Sequence, residues 1–395
     1  MRKKVLILLA FIFLIPLLMP NGVVFASDEE DKLADYVEEN LNNIDFENID
    51  EVINSVNNNL FFEDSSFKEI VSSLLKGETY SNYDNLFEYV FSNIGQELLS
   101  LIPFIMTVIA LGVFSSLIGS FKPNINSKSV SDLLHFVCYS LVVLLVVSLV
   151  KNVVGLTNST ISSITNQMNI LFPILLTLLT AMGGAVSASI YNPLVAVLTN
   201  GVSFIFSKIV YPIFVVSFIF VILGNLSSTV KIKKLNSFLS SSFKWIVGFV
   251  FTMFAGFLTI QGISAGKYDS ISLKATRFAM KNSIPFIGGY LSDGLDYVLL
   301  SGVLIKNAVG VASLLLLVAT IIAPLIKIVI IKLALQLTAG LVEPLGDGRV
   351  ASFLDNCAKV LIYPIVIILA MSFMYFLSVG LIMCTITGAW YELYN

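Results

Sequence analysis

The sequence is poor in charge, in cysteine and in histidine, and each scarcity narrows what the chain does. Only 12% of its 395 residues are charged, against about 25% in soluble domains. Hydrophobic residues make up 56% and the mean hydropathy is +0.90. Such a composition excludes a soluble globular enzyme and indicates an all-α, polytopic helical membrane protein. Cys138, Cys357 and Cys384 all fall in apolar runs. An odd count without metal-ligand spacing excludes a disulfide framework or a structural zinc site, so they read as small core or lipid-facing residues. The single histidine, His135, opens an apolar run and reads as an interfacial anchor before a proton relay. Phosphate-binding glycine loops, Ser/His/Asp arrangements and H-E-x-x-H motifs are lacking. No enzyme, metal or cofactor is therefore expected.

The few charges are unevenly placed. Residues 27–97 hold 18 of the 26 acids and 3 of the 23 basic residues, whereas basic residues dominate from 98 onward. An acidic segment of this kind has no affinity for nucleic acid or anionic lipid.

Met1–Ala26 has a basic start (Arg2, Lys3, Lys4), an apolar stretch from Val5 to Met19 and a helix-breaking Pro20-Asn21-Gly22. Val24-Phe25-Ala26 fits an A-x-A-like site, so residues 1–26 read as a signal peptide cleaved after Ala26, with an uncleaved anchor as the alternative; cleavage places residue 27 outside the membrane. Residues 27–97 then read as a small acidic helical ectodomain. Ile44, Ile49, Val52 and Ile53 recur at helical spacing, Ser66 and Glu69 fit a capping box, and Lys76-Gly77 fits a helix end.

From Leu98 to Thr385 apolar runs follow one another: Leu98–Ile118, Leu133–Val150, Asn169–Ser189, Ile209–Leu226, Trp245–Ser264, Ala308–Leu345 and Val360–Thr385. About 20 residues suffice for one crossing, so the Ala308–Leu345 run accommodates two with a break at Pro324. Six to ten crossings fit, followed by a short tail at 386–395.

Pro173 and Pro212 stand 39 residues apart, as do Pro285 and Pro324, and the pairs are offset by 112 residues. The same offset carries several apolar runs onto one another, which predicts parallel repeats at 98–208 and 210–320 with a truncated copy at 322–385. In each copy a polar segment (Lys151–Met168, Gly266–Lys281) precedes an apolar hairpin (Asn169–Ser207, Ser283–Thr320). Lys122, Lys128, Lys231, Lys233, Lys234, Lys244 and Arg349 all fall on the inner side in this scheme, in keeping with the positive-inside rule. Lys267, Lys274, Arg277 and Lys281 fall outside, which a surface-lying helix with Leu273, Phe278 and Ala279 on its apolar face would explain.

The candidate functional stretch is Asn282–Asp347, where charge and hydrophobicity coincide. Asp293 and Asp296 share a helix face and, with Lys306 and Lys327, are candidate pore or coupling residues; Lys332 lies nearby. The competing readings are a water-exposed hairpin marked by Tyr290 and Tyr297, and lysines that snorkel. Glu343, Pro344, Asp347 and Arg349 form a tight turn that reads as a partner-docking loop or as a plain connection. Gly183-Gly184 and Gly288-Gly289 allow close helix approach.

The signal peptide, the acidic segment with SSLLKGE (Ser72–Glu78), KNSIPFIGGYLSDGLDYVLLSGVLIKNAVG (Lys281–Gly310) and LVEPLGDGR (Leu341–Arg349) together resemble the stage III sporulation protein AE family of endospore-forming Firmicutes. The resemblance implies a multi-pass, non-enzymatic component of a channel-like complex in the mother-cell membrane around the forespore. It also implies membrane-protein partners across the intermembrane space, with homo-oligomer formation left open, and support of late forespore development. It carries over no catalytic residues. The alternative is a self-sufficient secondary transporter using the Asp293/Asp296 region, and a third reading is a passive scaffold.

Overall fold

The computed structural model describes residues 36–44, 46–55, 66–77, 83–120, 128–226, 233–283, 288–345 and 348–385. The cleavage site, Lys231 of the lysine-rich loop, Asp347 and the tail lie outside the described residues, as do the side chains of His135, Lys233, Asp293 and Asp296.

Among the described residues all regular structure is helical. Six segments are long and apolar enough to cross a membrane: Glu88–Leu117, Phe136–Ala181, Ala185–Gly224, Lys234–Thr259, Val298–Val342 and Gly348–Cys384. The chain is a multi-pass helical membrane protein. Among the described residues a helical stretch at 36–42 and two short helices, α1 (Glu47–Ser55) and α2 (Phe67–Leu75), precede the long ones. These are α3 (Tyr83–Ser120), α4 (Lys128–Ala181), α5 (Ala185–Ala196) continuing through two π-helical turns into α6 (Tyr211–Leu226), α7 (Lys233–Ser283), α8 (Gly288–Val342), α9 (Gly348–Val360) and α10 (Ile362–Cys384).

The long helices ignore the expected interruptions. α8 passes through Pro324 without a break, because neighbouring helices and local adjustment accommodate the carbonyl that a proline leaves unbonded. Hence the run from Ala308 is one helix, and the Ser283–Thr320 segment contains no turn after Gly288. The joint between α4 and α5 is at 182–184, whereas a 112-residue offset would put its counterpart at 294–296, inside α8. α3 likewise runs from Tyr83 to Ser120, straight across the boundary drawn at residue 97.

α4 has 54 residues and is about 80 Å long at 1.5 Å per residue, far more than the ~30 Å of a hydrocarbon core. Its exposed side chains explain the excess. Phe136, Val137, Leu141 and Leu144 are exposed in the first half, whereas from Lys151 to Asn169 the exposed side chains, besides that lysine, are Asn152, Asn158, Ser159, Ser162, Asn166 and Asn169. One face is suited to lipid, then to water, on a single continuous helix. The polar stretch Lys151–Met168 is therefore part of this helix and not a separate element.

α8 is the centre of the bundle and packs against α2, α3, α4, α7, α9 and α10. Its apolar segment is 72% buried inside the protein, against 22% for that of α3. The hydrophobicity of α8 thus serves a protein core as well as a lipid-facing surface: its exposed large apolar residues after Val298 are Leu333, Leu337 and Leu341.

The N-terminal helices form as their sequence dictates. Ser66 Oγ accepts from Glu69 N (3.3 Å) and Glu69 Oε2 accepts from Ser66 N (2.8 Å), closing the capping box. Gly77 ends α2 at φ +65°. Ile49, Val52, Ile53, Phe67, Ile70 and Val71 are buried, α2 lies against α8, and α1 lies against α4. Asn40 Nδ2 donates to Ser301 Oγ at 3.1 Å.

Candidate functional site

Ionisable groups in apolar helices need partners, because a charge left alone in hydrocarbon costs ~2.5–3.5 kcal/mol or more. Three such groups have partners in the bundle, and each partner comes from a different helix.

Lys306 is fully buried on α8. Its Nζ donates to the carbonyls of Thr385 (2.6 Å), Met383 (3.0 Å) and Ile382 (3.2 Å). These carbonyls belong to the end of α10 and its cap residue Thr385, where Thr385 N bonds Ile382 O at 3.3 Å and the helix supplies no further N–H for the other two. All three ammonium protons are used, and a cation stands at the negative end of the helix. One turn further along α8, a Cβ on Gly310 would meet Met383 at 2.5 Å. Lys306 binds the end of α10 and Gly310 makes room for it. From the other side Tyr191 of α5 meets Thr385 Oγ1 at 2.7 Å, and that hydroxyl in turn donates to Leu381 O.

Asp269 of α7 is fully buried. Its two carboxylate oxygens accept from Val186 N (3.2 Å) and Ser187 N (3.1 Å), at the start of α5. Gly184 occupies the cap position there and has no side chain to serve those donors, so Asp269 supplies the cap from another helix. The α4–α5 joint is a Schellman turn: Gly184 N donates to Leu179 O, Gly183 N donates to Thr180 O, and Gly183 has φ +81°. A Cβ on Gly183 would meet Leu273 of α7 at 2.8 Å. Leu273 is thus buried as expected of an apolar face, but Phe278 is 71% exposed, and the two do not share one buried side.

Lys327 of α8 forms an ion pair with Glu97 of α3 at 2.8 Å. It is half-buried, neither freely exposed nor enclosed. Lys327 also lines an open cleft of about 540 Å³ with Lys151, Asn152, Gly155, Leu156 and Ser159 of α4. Deeper between α4 and α8, the buried Gln167 donates to Thr320 Oγ1 at 2.6 Å.

Of the candidate residues, Lys306 and Lys327 have these partners, while Asp293 and Asp296 lie on the first turns of α8. Glu343 and Pro344 are exposed in a 3-10 turn, and Arg349 is exposed at the start of α9. Glu97 and Asp269 were missed by sequence reasoning. Their only signal is isolation: Asp269 is the sole acid between Asp132 and Asp293, and Glu97 is the last before Leu98. The described residues contain no group of three His, Cys, Asp or Glu able to hold a metal ion.

Residues 65–387 match the family model described as stage III sporulation protein AE. The chain belongs to that family. The match spans most of the chain and every helix from α2 to α10, so the partnered residues above all lie inside the family region. A relative in Bacillus subtilis (strain 168), itself named stage III sporulation protein AE, is 29% identical over 297 residues, covering 75% of this chain and 73% of its own length. No solved structure matches. Family membership gives the protein a role in sporulation.

Proposed function

We propose that the protein is a non-enzymatic, membrane-embedded subunit of a channel-like complex between mother cell and forespore, needed for late forespore development. Family membership from residue 65 to residue 387 carries this reading. The fates of the ionisable groups support it. Lys306, Asp269 and Lys327 are engaged in joining helices to one another, which is what a structural subunit requires.

In this reading residues 1–26 are removed, and the N-terminal helices face the intermembrane space from the mother-cell membrane. Their acidic surface meets partner proteins there. The Glu343–Arg349 loop lies on the opposite, cytoplasmic side as a second contact point. Lipid and other membrane proteins of the complex are the partners, with a second copy of the chain among them; nucleic acid is not.

The test is purification of a tagged chain from sporulating cells. Other sporulation membrane proteins are expected to co-elute in a fixed ratio, and elution of the chain alone would sink the proposal. Replacing Asp293 and Asp296 together with Asn then separates two roles. Loss of spores with the complex intact makes them conduit residues; normal spore yield makes them structural.

A further inference from the structure

We infer that the cleft between α4 and α8 binds the phosphate of an anionic phospholipid at the edge of the membrane belt. Three helices border it, and the exposed surface of each changes character at this level. On α3 the exposed apolar side chains Leu98, Leu99, Ile102 and Met106 crowd directly after Glu97, with Phe91 the one exposed large apolar residue before it among the described residues. On α4 the last exposed large apolar residue is Leu144, seven residues before Lys151. On α8 the exposed apolar residues Leu333, Leu337 and Leu341 follow Lys327, with none between Val298 and Leu333 among the described residues. An apolar belt on one side and a polar surface on the other mark the depth at which lipid headgroups lie.

The chemistry of the cleft fits a headgroup. Lys151 and Lys327 contribute two cations, and the Glu97 carboxylate, 2.8 Å from Lys327, offsets one of them. Lys151 is exposed, and the cleft retains a positive charge that Glu97 does not balance. Asn152 offers an amide donor, and Gly155 leaves the wall open, since a Cβ there would meet nothing within 4 Å. Basic pockets between membrane helices on the cytoplasmic side bind anionic headgroups through lysine and arginine, and the same donor chemistry stands here at the outer edge. A phosphate held between Lys151 and Asn152 would let its acyl chains run along Leu141, Leu144 and Leu337. A free phosphate anion would meet the same donors but gain nothing from those apolar side chains.

The test uses the full chain in neutral detergent, with lipids counted by native mass spectrometry. Phosphatidylglycerol is expected to remain bound in preference to phosphatidylcholine, and Lys151→Gln to weaken that retention about fivefold, the effect of one lysine near a membrane surface. Lys244→Gln, which alters an exposed lysine on α7, serves as the control and should change nothing. Equal retention of the two lipids, or retention unchanged by Lys151→Gln, overturns the inference. Displacement of phosphatidylglycerol by millimolar inorganic phosphate also overturns it, by assigning the cleft to a free anion.

Discussion

Lys306 Nζ lies 2.6 Å from the carbonyl oxygen of Thr385, across 79 residues of sequence. A buried lysine with no carboxylate against it among the described residues looks like an unmet charge until the carbonyls of Ile382 and Met383 are included. Helix α10 thus ends on a cation supplied by the central helix of the bundle.

Lys306→Met keeps the bulk and removes the donors. It takes the Lys306 donor from the carbonyls of Met383 and Thr385 in the interior, where each orphaned group costs ~1–3 kcal/mol. The last turn of α10 should fray. Cys384 sits in that turn and is exposed, whereas Cys138 and Cys357 are buried. Maleimide modification of native Cys384 should therefore accelerate in Lys306→Met, with a lower melting temperature in detergent. An unchanged rate would show that Lys306 does not hold this end.

Breaking the Glu97–Lys327 pair from one side strands the other charge. Glu97→Gln or Lys327→Gln should each cost about 1 kcal/mol or less, the scale of a partly exposed ion pair. The double neutral variant should lose less than the two singles combined. Thermal unfolding of all four forms in one lipid mixture gives the coupling, and strict additivity would mean that the pair is not formed.

Asp269→Ala removes the cap from α5, with an expected loss of about 1–2 kcal/mol. Asp269→Asn keeps an acceptor and should lose less. Gly183→Ala should cost at least as much as a lost cap, because φ +81° disfavours any Cβ and Leu273 occupies its place. A melting series of the three variants checks this order.

The change of surface along α4 predicts which positions meet water. In a Cys384→Ser background, Asn166→Cys should react with a membrane-impermeant maleimide in intact vesicles of suitable orientation. Leu141→Cys, on the same helix, should not. Equal reactivity at both positions would remove the belt boundary at Lys151.

Much of this architecture was readable from the residues. The capping box at Ser66 and Glu69 forms because it is local chemistry, complete within four residues. The multi-pass helical class follows from composition alone. Helix boundaries were not readable, because hydropathy gives the same signal for a lipid-facing helix and one enclosed by protein. Val298–Val342 is mostly the latter, so its length and its proline did not mean two crossings. The partners of Lys306 and Lys327 were also hidden. One is a set of backbone carbonyls that leave no mark in the sequence, and the other, Glu97, lies 230 residues away.

α4 continues as one helix, with Pro173 inside it, from Lys151 to Ala181, a rise of about 45 Å at 1.5 Å per residue. The protein therefore has a built-in stand-off. Its far hairpin, with Gly183 clamped by Leu273 and the first turn of α5 capped by Asp269, is carried at a height set by helix length and not by a flexible tether. Anything that docks on that hairpin is held at that distance from the Lys151 level of the helix and cannot be drawn closer without bending the helix itself.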